Sequence, residues 1–247
     1  MSSDIGFMQS DQWSLASDST KVNSTLGSDA STIIPQSRNS GSRLRSQTLV
    51  FSRLAPLRVN MRISAKHYEQ DPFYFIHVGG MLGDHTDITM HEGGDKNGRV
   101  LGSCRFNKFR SSKIHFKLSS GDKSALYLVA QHGYYQWSMP RTLKTSDHRE
   151  DVGERFFLWR RSADLDRDPR NADALNLDLC SPDPYEVHAT YAGALPGSGK
   201  GGVLQINDDL GEDFKVMVVL TLSVLVEKAR QKRDRSGDNT ARMMAFW

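Results

Sequence analysis

The stretch Val216–Val226, VMVVLTLSVLV, carries no charge on any face and is followed at once by the strongly charged EKARQKRDR of Glu227–Arg235. As a helix this run rises about 16 Å, about half of the ~30 Å of hydrocarbon in a bilayer, so it is too short to span one. As a strand it would exceed the ordinary length, whereas a helix that is apolar all round belongs where protein surrounds it on every side. A helix threaded through a shell built by the rest of the chain is therefore expected. The acids Asp208, Asp209, Glu212 and Asp213 suit its N-terminus, and Lys228, Arg230, Lys232 and Arg233 suit its last turns, so the basic end should emerge into water.

The shell is legible upstream. After Ser46 the chain becomes a series of short runs rich in β-branched and aromatic residues, separated by clusters of Gly, Asn, Asp, Pro and Ser. Strands are expected near Thr48–Ser52, Val59–Ile63, Phe73–Val78, Asp87–His91, Val100–Phe106, Lys113–Leu118 and Ala125–Gln131. Five more are expected near Tyr134–Ser138, Glu154–Arg160, Ala174–Leu179, Glu186–Tyr191 and Gly202–Ile206. Gly93–Gly98 and Ser119–Asp122 read as hairpin turns, and Asp183-Pro184 and Gly197–Gly199 as loops. In KIHFKL the residues Ile114, Phe116 and Leu118 share a face; in LNLDLC, Leu175, Leu177 and Leu179 oppose a wet face of Asn176, Asp178 and Cys180. Strands with one apolar and one wet face fit a closed barrel or a half-exposed sheet; followed by an all-apolar helix, they describe a barrel wrapped around that helix, an all-β fold with one helix. It is a closed, about twelve-stranded antiparallel barrel around a buried C-terminal helix, with Val216, Val219, Leu220, Leu222, Val224 and Leu225 inside.

Three segments follow from this reading. Residues 1–46 form a Ser-rich arm expected to be disordered, in which Arg38, Arg43 and Arg45 alternate with Ser37, Ser40, Ser42 and Ser46, either as a solvated linker or as a substrate for basic-directed kinases. Residues 47–235 form the barrel domain, and 236–247 a flexible tail ending in RMMAFW, which reads as a frayed end, a docking peptide or a membrane-touching anchor. No N-terminal apolar h-region precedes the arm, so a cytoplasmic protein, peripheral to a membrane at most, is expected. The net charge of +3 names no partner by itself. Cys104 and Cys180, without paired spacing, point to neither a disulfide framework nor a zinc site.

The segments VLGSCRFNKFRSSKIHF, YYQWSMP and RFFLWRR, and above all the closing DDLGEDFKVMVVLTLSVLVEKARQKRDR, resemble the tubby C-terminal-like superfamily of tubby proteins, phospholipid scramblases and the LURP-one-related proteins of plants. The likeness runs from about Arg45 to Arg235 and is greatest to fungal members of unassigned function. It implies a closed twelve-stranded barrel around a hydrophobic C-terminal helix, that is, a tubby-like barrel. It also implies a membrane-proximal binding role, since tubby proteins bind phosphoinositide headgroups through barrel-surface Lys and Arg. No cysteine cluster of the palmitoylation type and no Pro-rich N-terminus is present, so scramblase-like activity is not expected.

The segment RFNKFRSSKIHFK places Arg105, Lys108, Arg110, Lys113 and Lys117 together with no acid among them, and Phe106 and Phe109 beside them as interfacial wedges. Each basic residue near an anionic leaflet contributes about 1 kcal/mol, so such a patch would give weak, salt-sensitive lipid association. The same alternation also describes the plain solvent face of a hairpin. Other motifs fail on context. Gly197, Gly199 and Gly202 precede a strand where a phosphate-binding glycine motif needs a helix, and Lys200 is followed by Gly201 where a P-loop needs Ser or Thr. Asp164, Asp166 and Asp168 open like a calcium loop but meet Pro169 and Leu175 where Gly and Glu are required. His85, Asp87 and His91 share strand parity as a weak metal candidate, and no catalytic signature accompanies them. The expectation is a non-enzymatic binding module without cofactor or metal, whose partner is an anionic membrane lipid. The alternative is a protein-interaction module regulated through the arm; a nucleic-acid partner is not expected, and a monomer is.

Overall fold

The computed structural model describes residues 46–53, 60–65, 71–80, 84–107, 112–120, 126–144, 150–164, 174–194 and 201–244, the side chains of 141–152 and 236–244 excepted. All belong to the compact unit Gln36–Trp247. The expected arm (1–46), apart from Ser46, and the last three residues of the tail lie outside the described residues.

Twelve strands run β1 Gln47–Arg53, β2 Met61–Ala65, β3 Pro72–Gly79, β4 His85–Glu92, β5 Val100–Asn107, β6 Lys113–Leu118, β7 Leu126–Ala130, β8 Tyr134–Lys144, β9 Glu150–Arg161, β10 Leu177–Pro182, β11 Tyr185–Ala192 and β12 Val203–Ile206. The single helix α1 is Glu212–Met244. Each strand pairs antiparallel with its sequence neighbours, and β12 closes on β1 through Gln47↔Ile206 to Val50↔Val203, so the sheet is a closed barrel. Closure gives every one of the twelve strands two neighbours in the sheet.

The barrel interior is filled by its own helix. Val216, Val219, Leu220, Leu222, Val224 and Leu225 are at most 6% exposed, and they pack on inward residues from around the wall, among them Ile63, Ile76, Ile88, Leu128, Trp159 and Leu204. Gly102 on β5 makes room for this packing, because a Cβ there would lie 2.7 Å from Leu220 Cδ1. Two hydroxyls on the buried turns satisfy themselves locally: Thr221 Oγ1 donates to the Met217 carbonyl at 2.7 Å, and Ser223 Oγ to the Val219 carbonyl at 2.7 Å. No described helix is long and apolar enough to cross a membrane.

Polar latches hold both helix ends. At the entry, Asn207 and Asp208 lead from β12 into α1; the Asn207 N–H donates to the His188 carbonyl at 2.8 Å, and the fully buried His188 ring bonds through Nδ1 to the Asp208 carboxylate. Arg155 Nη2 approaches His188 Nε2 at 3.4 Å; arginine can only donate, so Nε2 accepts and Nδ1–H is the donor to Asp208. At the exit, buried Glu227 accepts from Arg230 Nη2 at 2.7 Å and from Gln231 Nε2 at 2.7 Å, and Gln231 also reaches Thr86 Oγ1 on β4 at 3.0 Å. A carboxylate this deep requires such partners.

Several expectations need correction. Helix α1 was expected to reach its last turns near Arg233, and its backbone continues to Met244. Strands β8 and β9 are 11 and 12 residues long, because β8 continues through Pro140. Among the described residues only Tyr135 and Gln136 of β8 pair with β7, so past Gln136 that side of β8 has no described partner and a proline without an N–H is tolerated there. In LNLDLC, Leu177 and Leu179 do face inward, but Ala174–Asn176 precede the strand, and Asn176 and Cys180 are buried rather than wet. Asn176 Oδ1 accepts the Gly193 N–H at 3.3 Å, and a bulge at Leu179/Cys180 breaks the alternation.

Both cysteines are buried and free. Burial pushes the Cys104 thiol up to about 12, and raises that of Cys180 as well. A thiol at about 12 is ionised to about one part in ten thousand at pH 8, and only thiolate attacks a disulfide reagent. Ellman's reagent at pH 8 should therefore find neither thiol in the folded chain and both in guanidinium; reaction of Cys104 before unfolding would contradict its place in the core.

Candidate functional site: the basic outer face of β5 and β6

Strand alternation decides which side chains reach the surface here. On β6, Ile114 and Phe116 turn into the core, so Lys113, His115 and Lys117 all point outward. On β5, Gly102, Cys104 and Phe106 are buried, and Arg105 stands outside. Phe106, expected as an interfacial wedge, is 2% exposed and part of the core, since it has the opposite parity to Arg105. It cannot touch a membrane without unfolding the strand.

Register brings these residues into two rows across the wall. One row reads Asp87, Arg105, His115, Tyr127, and the next reads Thr89, Ser103, Lys117. Arg105 is engaged by its neighbour, with Nε donating to Asp87 Oδ1 at 2.5 Å and Nη2 to Oδ2 at 3.1 Å. This two-pronged bond from Arg105 holds the Asp87 carboxyl below its usual range, and Arg105 is held above its own. Lys113 Nζ lies 3.7 Å from the centre of the Tyr127 ring, and the His115 ring meets Tyr127 edge-on with centroids 4.2 Å apart. Lys117 is exposed and makes no ion pair with a described residue. The face thus presents two exposed ammonium groups, that of Lys113 over the Tyr127 ring, beside one neutralised guanidinium.

Of the five expected basic residues, the fold gathers Arg105, Lys113 and Lys117 on one face, while Lys108 and Arg110, with Phe109, lie outside the described residues. Sequence reasoning missed His115 and Tyr127 as members of the face, and missed Asp87 as the counter-ion of Arg105. His115 was within reach of the period-2 pattern; Tyr127 and Asp87 join only through cross-strand register.

The weaker motifs resolve differently. His85, Asp87 and His91 do not converge, because a bulge at Met90/His91 alters the parity and His91 Nδ1 lies 3.1 Å from the Gly98 carbonyl oxygen. Among the described residues no three His, Cys, Asp or Glu side chains come together to hold a metal ion. Asp166, Asp168, Gly197 and Gly199 lie outside the described residues. No protein-family model, curated protein or solved structure matches this chain.

Proposed function

We propose that the chain is a non-enzymatic binding module of the tubby C-terminal-like kind that associates with anionic, phosphoinositide-type membrane lipids through the outer face of β5 and β6. The observation that carries the reading is the outward projection of Lys113, over the Tyr127 ring, and of Lys117 from one strand beside Arg105. Among the described residues, α1 and the inward wall side chains fill the barrel interior. The resemblance to that superfamily, whose tubby members bind phosphoinositide headgroups, points the same way.

Two exposed lysines at about 1 kcal/mol each give weak binding that salt screens over about 8 Å. The test is co-sedimentation of the full chain with neutral and with phosphoinositide-containing vesicles, at low and physiological salt. Selective pelleting with anionic vesicles is expected. The double variant Lys113→Glu, Lys117→Glu should weaken it at least about tenfold with an unchanged melting temperature, because both side chains are exposed. Folded protein that ignores anionic vesicles would overturn the reading in favour of a protein-interaction module.

A further inference from the structure

Arg105 is the middle cation of the face on β5 and β6. It lies opposite His115, and Lys113 and Lys117 stand two residues to either side of His115, so each lysine is a diagonal neighbour of Arg105 at about 7–8 Å. The lysines themselves are four residues apart on one strand, about 13 Å, so a single phosphate cannot bridge them. A phosphate held by two cations of this face must therefore combine Arg105 with one lysine. Lys117 is the better placed of the two. Lys113 rests on the Tyr127 ring at 3.7 Å, whereas Lys117 lies opposite Ser103, a hydroxyl on the same face two residues before Arg105.

Arg105 already holds an anion. The Asp87 carboxylate accepts from Nε at 2.5 Å and from Nη2 at 3.1 Å, in the two-pronged geometry that a phosphate would use. Both partners stand in water, the Arg105 side chain 70% and the Asp87 side chain 39% exposed, so a ligand reaches the pair without any change of fold. Arg105 holds the Asp87 carboxyl below its usual range, so it stays ionised at neutral pH and is displaced by another anion rather than by a proton. On its far side Asp87 lies opposite Gly79, which has no side chain to obstruct a carboxylate moving off Arg105. Exposed ion pairs are weakly held, so the exchange costs little. A phosphodiester, with one charge, satisfies Arg105 alone, whereas a phosphomonoester dianion brings a second charge for Lys117 to meet.

We propose that Arg105, Lys117 and Ser103 form a seat for the phosphomonoester of a lipid headgroup, in which Asp87 is the resident competitor that the phosphate displaces. The proposal rests on the lipid-binding reading above. Co-sedimentation of the full chain is measured at physiological salt on vesicles matched in surface charge, with about 10% phosphatidylinositol 4-phosphate or about 30% phosphatidylinositol, whose phosphate is a diester. The parent should favour the phosphomonoester vesicles. Asp87→Asn should bind them about fivefold more tightly, the worth of one further cation at an anionic surface, and should gain nothing in an Arg105→Gln background. Glu92→Gln removes the same charge from the other end of β4 and should change binding much less. Lys117→Gln should abolish the preference for the phosphomonoester, whereas Lys113→Gln should weaken binding to both kinds of vesicle alike. Glycerol 2-phosphate at about 5 mM and constant ionic strength should leave the chain on the vesicles, since so small a ligand binds weakly; release would assign the seat to a soluble phosphate instead. Pelleting of the parent with neither vesicle would overturn the lipid-binding reading, and the seat with it. If the parent pellets with the phosphomonoester vesicles, the seat alone is overturned by any of three results: no gain from Asp87→Asn, an equal gain from Glu92→Gln, or equal effects of Lys117→Gln and Lys113→Gln on the preference.

Discussion

Val219→Asp abolishes folding of the barrel. Val219 is 0% exposed in the middle of the buried turns of α1 and belongs to the core cluster that joins helix and wall. A carboxylate there has neither water nor a cation, and the polar latches that serve Glu227 and His188 lie at the ends of the buried segment. Burying an unpaired charge costs at least about 5 kcal/mol, comparable to the whole stability of an ordinary domain. Val219→Ala separates this from packing, since it removes two methyl groups and should cost about 2 kcal/mol with a cooperative melt retained. Circular dichroism and thermal melting of both variants are the measurement. If the Asp variant melts like the parent, the helix does not run through the barrel.

The helix and the wall were both readable from sequence for one reason. A barrel whose interior is occupied by a helix needs that helix apolar on all faces and its strands apolar on one, and these two periods are hard to mistake for anything else. All twelve strands fall on the expected runs, most within two residues at either end. The misplaced ends have local causes. Pro140 looks like a terminator, but it lies opposite Glu154 on a stretch of β8 with no second partner among the described residues, and only the pairing of distant strands reveals that. Leu175 fits the alternation of LNLDLC yet precedes the strand, because Asn176 is occupied in tying down Gly193.

The candidate site was legible only as far as one strand reaches. Parity along KIHFK puts Lys113 and Lys117 on a shared face, and the same rule, applied to β5, would have removed Phe106 from the surface. The charge state of the face was not legible. Arg105 is neutralised by Asp87 from 18 residues upstream, and Lys113 sits on the Tyr127 ring across a hairpin. Charge runs show where cations are, and register decides which of them remain available.

Trp159→Ala is the second large effect, and its parts can be separated. The indole is fully buried against α1, and its Nε1 donates to Thr221 Oγ1 at 2.9 Å, tying wall to helix at mid-barrel. Truncation to Ala should cost about 3–5 kcal/mol, roughly 10 °C or more in melting temperature for a domain of this size. Trp159→Phe keeps most of the volume and loses the donor. Thr221→Val keeps the volume and strands the indole N–H, at about 1–3 kcal/mol. The double variant removes both partners, so its cost should fall short of the sum by about 1 kcal/mol; strict additivity would mean that Trp159 acts through volume alone. Trp137 supplies the control. It is equally buried and stacks on Phe157 at 4.5 Å, but its Nε1 has no hydrogen-bond partner among the described residues. Trp137→Phe gives up no bond and relieves a stranded donor, so it should cost less than Trp159→Phe; the reverse order would show that the bond from Trp159 to Thr221 does not fasten the helix.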